Sequence, residues 1–99
     1  MDYSKSEIET LQTAIQAYGE TSQLLMLFEE MSELQKAVCK AIRFPKRNHR
    51  AVAEEIADVE IMLEQCKMIF GVHEESEMWR TDKIIRLKKR LGLLPEDDE

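Results

Sequence analysis

The sequence has few of the residues that interrupt helices or cross-link chains. Its 99 residues include three glycines, two prolines and two cysteines. Long segments are therefore uninterrupted, and since alternation of apolar and polar residues is almost absent, a β-sheet protein is excluded. The two cysteines, Cys39 and Cys66, form no C-x-x-C motif and no disulfide framework. Because both fall at apolar positions of helical patterns, we expect reduced thiols in the core.

Long apolar runs and an excess of positive charge are also missing. No segment approaches the ~20 apolar residues of a membrane helix, and the N-terminal MDYSKSEIET lacks the apolar region of a signal peptide. We therefore expect a cytoplasmic protein without a membrane partner. The formal net charge of −6 argues against a nucleic-acid partner, because binding to phosphate backbones usually rests on clustered Lys and Arg.

The short chain predicts one domain, residues 1–99, that associates with copies of itself. A chain of this length buries only about 60–65% of its unfolded surface, so its own core is modest. Self-association would cover apolar surface that one chain leaves exposed, and we expect a homodimer or homotetramer. The acidic segment 92–99 is expected to be a mobile tail.

Apolar residues recur every three or four positions in four segments, which predicts four helices. The first two are expected from Ser4, in a capping box with Glu7, to Gly19, and from about Thr21 to Ile42 before Phe44-Pro45. The last two are expected from the N-cap Asn48 to Gly71 and from about Glu74 to Leu91. We predict an all-α, four-helix bundle-like fold around a central antiparallel hairpin of the second and third helices.

Each central helix has one apolar stripe that is expected to be buried. The stripe of the second helix comprises Leu24, Leu27, Phe28, Met31, Leu34, Val38 and Ala41. The stripe of the third helix comprises Val52, Ile56, Val59, Leu63, Cys66 and Phe70.

Carboxylates recur on these two helices, in FEEMSELQ and again in AEEIADV. Helical geometry places Glu55 inside the apolar stripe of the third helix, with Asp58 at its edge. On the second helix Glu30 and Glu33 lie on the shoulder of the apolar face, whereas Glu29 points away. In an antiparallel hairpin the two pairs lie at similar depths, so Glu30, Glu33, Glu55 and Asp58 can meet at one level.

Four neighbouring carboxylates repel one another, which predicts a positive charge between them. An all-oxygen set favours a hard divalent cation such as Mg²⁺. A di-iron bundle is excluded, because it needs Glu-x-x-His and neither His49 nor His73 follows a glutamate by three. The ordinary alternative is that acidic pairs lie on solvated helix faces. Two pairs at matching depth, one of them with a member inside an apolar stripe, weaken that alternative.

The pattern Glu29-Glu30-Met-Ser-Glu33, a spacer of 21 residues, then Glu55-Ile-Ala-Asp58 resembles the signature of the MazG-like all-α nucleoside triphosphate pyrophosphohydrolases. The resemblance covers essentially the whole chain. It implies an enzyme that uses Mg²⁺, with Mn²⁺ as a substitute, to hydrolyse a (deoxy)nucleoside triphosphate to monophosphate and pyrophosphate, often for nucleotide-pool cleansing. It also implies that Glu30, Glu33, Glu55 and Asp58 bind the metal and that Glu29 acts in catalysis by orienting the attacking water.

The fourth helix carries an indole and three cations on one face. Trp79, Lys83, Arg86 and Arg90 follow i, i+4, i+7, i+11 spacing. Of these, Lys83, Arg86 and Trp79 are candidates for binding the triphosphate. The alternative is that the basic residues complement the helix dipole and that Trp79 is a core or interface aromatic.

Two further functions stay open from the sequence. One is a non-enzymatic helical interaction module that retains the fold. The other is a related pyrophosphohydrolase acting on phosphoribosyl-ATP. The intact set of four carboxylates favours the enzyme, because a scaffold gains nothing from Glu55 on an apolar stripe.

Overall fold

A computed structural model of the chain describes residues 2–46 and 48–94. These residues form four α-helices and no strand, so the predicted all-α class is confirmed. The observed helix ends agree with the predicted ones within the usual uncertainty of helix assignment. The helices are α1 (Lys5–Tyr18), α2 (Glu20–Arg43), α3 (His49–Phe70) and α4 (His73–Arg90).

The capping box of α1 and the glycine that ends α3 have the expected geometry. Oγ of Ser4 accepts a hydrogen bond of 3.1 Å from the backbone N–H of Glu7, and the Glu7 carboxylate accepts one of 2.8 Å from the N–H of Ser4. The backbone N–H of Ser4, and after it the Ser4 side chain, lowers the pKa of Glu7 by hydrogen bonding to its carboxylate. At the C-terminal end of α3, Gly71 adopts the left-handed conformation with φ of 65°, in which a residue with an L side chain would be strained.

Asn48 does not cap α3 with its side chain, which corrects the prediction. Its Nδ2 instead donates to the carbonyl oxygens of Lys40 and Phe44, at 3.3 and 3.5 Å. Both acceptors lie at the C-terminal end of α2, and the Lys40 oxygen also accepts a bond of 2.8 Å from the backbone N–H of Phe44. Asn48 therefore ties the end of α2 to the start of α3 across the turn.

The centre of the fold is the antiparallel hairpin of α2 and α3. Helix α1 packs against both of its helices, whereas α4 contacts α3 alone. One row of buried and half-buried residues on α2 has spacings that alternate between four and three, which is the pattern expected where a single partner helix packs closely. This buried row comprises Gln23, Leu27, Glu30, Leu34, Ala37 and Ala41, and Leu24 and Met26 are half-buried beside it.

Part of each predicted apolar stripe lies outside this hairpin interface. Phe28, Met31 and Val38 each lie one position, or about 100°, beyond a residue of the buried row, and they are exposed. Ile56, Leu63 and Phe70 of α3 are exposed in the same way. The prediction that these six residues are buried within one chain is wrong, because a single partner helix covers a narrower arc than the stripe.

The cysteine prediction is wrong for one residue. Cys39 is exposed on α2 and Cys66 is half-buried on α3, and both are free thiols. Cys39 follows the exposed Val38 on the outer side of α2. This side of the helix does not face the core, so the Cys39 side chain is not buried.

Two polar contacts attach the outer helices to α3. Gln65 is only 2% exposed, and its Nε2 donates to the backbone oxygen of Leu11 in α1 at 3.4 Å. Glu64, which is 9% exposed, bonds to His73 at the start of α4. Adjacent residues of α3 therefore position α1 and α4.

The chain leaves much apolar surface uncovered. Its radius of gyration is 17.3 Å, whereas a compact domain of this length has about 13 Å. The extended shape comes with exposed apolar side chains on α4 and on the outer side of the hairpin. On α4 they are Met78, Trp79, Ile84, Ile85, Leu87 and Leu91.

The segment predicted to be a mobile tail, 92–99, lies only partly within the described residues. Gly92–Leu94 follow α4, and the remainder of the predicted tail, 95–99, lies outside the described residues.

Within the described ranges, no helix combines the length and the apolar character that crossing a bilayer requires.

Candidate metal centre

Three carboxylates from two helices meet at the hairpin interface. One oxygen each of Glu30, Glu55 and Asp58 lies within 4.8 Å of the other two, and all three residues are half-buried. Glu30 belongs to the buried row of α2, and Glu55 and Asp58 are one turn apart on the facing side of α3. Hairpin packing thus gathers negative charge from both helices at one point, here called the carboxylate cluster.

One oxygen of Glu55 lacks a hydrogen-bond donor in the part of the chain that the structure describes. Its Oε2 is inaccessible to solvent and has no hydrogen-bond partner among the described residues. Lost hydration is the largest cause that raises the pKa of Glu55, followed by repulsion from Asp58, Glu33 and Glu54. A buried carboxylate oxygen without a donor is costly, and a bound cation would satisfy it.

Glu30 has the same perturbation with one additional cause. Its pKa is raised first by lost hydration, then by the charges of Asp58, Glu55 and Glu33, and finally by a hydrogen bond with Asp58. Because a raised pKa means that the carboxyl group holds its proton more tightly, a proton and a cation would compete for the oxygens of the cluster.

The donor set fits a hard divalent cation. All of the converging atoms are carboxylate oxygens, which Mg²⁺ and Mn²⁺ accept and which soft metals do not select. The unsatisfied Oε2 of Glu55 is the observation that distinguishes this cluster from an ordinary solvated acidic face.

Glu33 and Glu29 lie outside the group of three. The side chain of Glu33 is 53% exposed, and its Oε1 is 3.5 Å from Nζ of Lys36. Glu33 is still near enough to raise the pKa of both Glu30 and Glu55. Glu29 is exposed on the side of α2 that the sequence predicts to point away from the apolar face.

Two of the residues predicted to bind phosphate, Trp79 and Arg86, contact each other on α4, and among the described residues this helix packs against α3 and not against α2. The guanidinium carbon of Arg86 lies 5.8 Å from the centre of the Trp79 ring, and Nη2 of Arg86 is 2.8 Å from Oδ2 of Asp82. Lys83 is exposed on the same helix. Helix α4 contacts α3 alone, and its first residue bonds to Glu64.

Three polar residues with structural importance were not found from the sequence. Glu64, Gln65 and His73 form the contacts that attach α1 and α4. A signal for the first two was present: Glu64 and Gln65 interrupt the otherwise apolar run IMLEQC. Polar residues within an apolar stretch of a helix often have a specific buried partner.

Comparison of the chain with protein-family models, with curated proteins and with solved structures gave no match. The function must therefore be inferred from the residues of the carboxylate cluster and from their resemblance to the MazG-like signature.

Proposed function

We propose that this protein is a Mg²⁺-dependent nucleoside triphosphate pyrophosphohydrolase of the MazG-like type. The observation that carries this proposal is the convergence of Glu30, Glu55 and Asp58 within 4.8 Å, from two helices. The motif resemblance predicts carboxylates with these roles, and a cation would satisfy the buried Oε2 of Glu55, which has no hydrogen-bond partner among the described residues. The reaction would cleanse the cytoplasmic nucleotide pool.

Four carboxylates would hold the cation. Glu30, Glu55 and Asp58 are already together, and Glu33 would join them by turning away from Lys36, to which it is held by an exposed contact of 3.5 Å. Exposed ion pairs of this kind contribute little stability, so the rearrangement costs little. When bound, Mg²⁺ neutralises phosphate charge and lowers the barrier to attack by water.

The other proposed roles belong to Glu29 and to α4. Glu29 is the first glutamate of the motif, and its exposed position leaves its carboxylate free to orient a water molecule from the solvent side. No nucleophilic side chain is required, because water attacks phosphorus directly when the phosphate charge is neutralised.

A homo-oligomer, a dimer or a tetramer, is part of the proposal. Phe28 is 62% exposed on the hairpin, and Trp79 is exposed on α4. Exposed apolar surface of this extent typically marks an association site. A second copy could place its α4, with Lys83 and Arg86, near the cluster of the first. Light scattering should give an oligomer at micromolar concentration, and a fully helical and active monomer would contradict this part of the proposal.

A substrate screen tests the activity. The protein is mixed with Mg²⁺ and each ribo- and deoxynucleoside triphosphate, with phosphoribosyl-ATP as a separate arm, and the products are separated by chromatography. We expect monophosphate and pyrophosphate. Diphosphate and orthophosphate would show that a different bond is cleaved. A failure to cleave any of these compounds would favour the non-enzymatic interaction module.

A further inference from the structure

Positive charge is concentrated at the turn end of the hairpin. Of the 14 lysines and arginines in the chain, six lie between Leu34 and Ala53, a segment without aspartate or glutamate. Elsewhere the 20 acidic residues outnumber the basic ones. An acidic protein thus carries a strongly basic end, which the net charge of −6 conceals.

Three of these cations form a row on α2 that begins beside the carboxylate cluster. Lys36, Lys40 and Arg43 follow Glu33 with spacings of three, four and three, so they share one side of the helix; they are here called the basic stripe. Nζ of Lys36 is 3.5 Å from Oε1 of Glu33. The stripe therefore begins next to Glu33, whose charge raises the pKa of Glu30 and Glu55 in the cluster.

Four other cations of this end lie within the described residues, and they have no carboxylate partner there. The ion pairs among residues 2–46 and 48–94 include none for Lys40, Arg43, Lys46 or Arg50. All four side chains are exposed. Like charges at this spacing on one helix repel each other, and a bound anion would relieve that repulsion.

The carboxylate cluster creates a need for such a surface. A triphosphate approaching Glu30, Glu55 and Asp58 meets negative charge that one divalent cation neutralises only in part. A neighbouring row of cations would attract the anion and fix which of its ends points toward the turn.

We propose that the basic stripe binds the outer phosphates of the substrate, those released as pyrophosphate, while the inner phosphate lies at the carboxylate cluster. This inference rests on the proposed function. The stripe extends over eight residues, from Lys36 to Arg43, or about 10 Å of helix rise. That length suits a short polyphosphate. The acidic surface that surrounds this end would repel a longer polynucleotide.

Binding of inorganic tripolyphosphate in the presence of Mg²⁺ tests the inference independently of base and sugar. Isothermal titration calorimetry would compare the wild type with Lys36→Gln, Lys40→Gln and the double variant. We expect the dissociation constant to rise about tenfold in the double variant, because two charge-assisted contacts with phosphate are lost. Lys5→Gln, which removes an exposed cation from α1, is the matched control and should bind as the wild type does.

Two further measurements separate a binding effect from a structural one. The thermal shift caused by Mg²⁺ alone should be the same in the double variant and in the wild type, because both retain the cluster. A nucleoside monophosphate, which lacks the outer phosphates, should bind equally to both proteins. A weaker Mg²⁺ shift, or equal losses for monophosphate and tripolyphosphate, would overturn the proposed role.

The remaining outcomes are also decisive. Unchanged tripolyphosphate binding in the double variant, or none by the wild type, overturns the inference. If single-stranded DNA binds the wild type more tightly than tripolyphosphate and loses binding in the double variant, the surface serves a polynucleotide instead. The enzymatic proposal is judged separately, by pyrophosphate release from the wild type, so either idea can fail while the other stands.

Discussion

Nε2 of His73 lies 2.6 Å from Oε2 of Glu64, so the first residue of α4 bonds to a buried carboxylate of α3. The side chain of Glu64 is 11% exposed, whereas that of His73 is 47% exposed. His73, which is partly exposed, is therefore the hydrogen-bond partner of the buried Glu64 carboxylate. This contact positions a helix that otherwise has little contact with its own chain.

Replacing His73 by alanine should destabilise the fold by leaving Glu64 buried without its partner. We expect a loss of about 1–3 kcal/mol in the free energy of unfolding, the usual penalty for such a group. Urea unfolding at one fixed protein concentration would measure it, because association also affects apparent stability. In a double-mutant cycle with Glu64→Gln, His73→Ala should cost less in the Gln background, where the buried charge is already removed. Additive losses would show that the pair does not act as a unit.

Changing Glu55 to Gln should separate stability from activity. The variant keeps the side-chain shape and removes one negative charge from the cluster, so the metal-free protein should be as stable as the wild type or more stable. The same change removes a ligand for a hard cation, so thermal stabilisation by Mg²⁺ should shrink and hydrolysis should collapse.

Glu54→Gln is the matched control for Glu55→Gln, because Glu54 is the exposed neighbour and lies outside the group of three. It should retain both Mg²⁺ stabilisation and hydrolysis. Melting curves with and without Mg²⁺, together with pyrophosphate release, would decide between the alternatives. A Glu55→Gln protein that is less stable, fully active and indifferent to Mg²⁺ would argue against a metal site.

The raised pKa values of Glu30 and Glu55 predict a specific pH dependence in EDTA. The folded state holds these protons more tightly than the unfolded chain does, so their contribution to stability is fully present below the ordinary glutamate pKa. It is lost as the pH rises through the raised values. Stabilisation by Mg²⁺ should show the opposite trend, because cation and proton compete for the same oxygens.

The comparison that isolates this effect is between the wild type and a Glu30→Gln, Glu55→Gln double variant. The difference in melting temperature between them cancels the contributions of other carboxylates, such as Glu7, whose lowered pKa acts in the opposite direction. In EDTA this difference should favour the wild type increasingly as the solution is acidified. A difference that is independent of pH would show that neither carboxyl group has a raised pKa in solution.

Asn48 permits a test of which helix end it serves. Asn48→Ala should cost up to about 1 kcal/mol by removing the long hydrogen bonds to the carbonyl oxygens of Lys40 and Phe44. Asn48→Asp should cost at least as much, because a carboxylate cannot donate to those oxygens. If Asn48 instead capped α3, aspartate would serve as well as asparagine. Urea unfolding of the two variants distinguishes these roles.

The helices were predictable because their signals are local. Ser4 and Glu7 satisfy each other within one turn, and glycines with positive φ end α1 and α3. The role of Asn48 was not predictable, because the same side chain can accept from the following helix or donate to the preceding one. Only the geometry of the turn between α2 and α3 decides between these bonds.

For the candidate site, the sequence predicted which carboxylates lie on the same helix face. The period of the helix places Glu30 and Glu55 toward the partner helix, and the antiparallel pairing sets their depth. The separation of Glu33 from the other three depends on its contact with Lys36, a choice of rotamer that the sequence pattern does not encode. The wrong prediction that Phe28 is buried has a different origin. Periodicity shows that one face of a helix is apolar, but it does not show how many neighbouring helices cover that face.

The exposed apolar faces of α4 and the hairpin also have a kinetic consequence. Helices α2 and α3 are adjacent in sequence, so their contacts are local, and low contact order favours rapid folding. In the homo-oligomer that we propose, the apolar side chains of α4 become covered only when a second copy binds, and that step is bimolecular. We expect far-ultraviolet circular dichroism to follow a fast phase whose rate does not depend on protein concentration. Fluorescence of Trp79 should follow a slower phase that accelerates with concentration, and a Trp79 phase independent of concentration would show that α4 finds no partner copy.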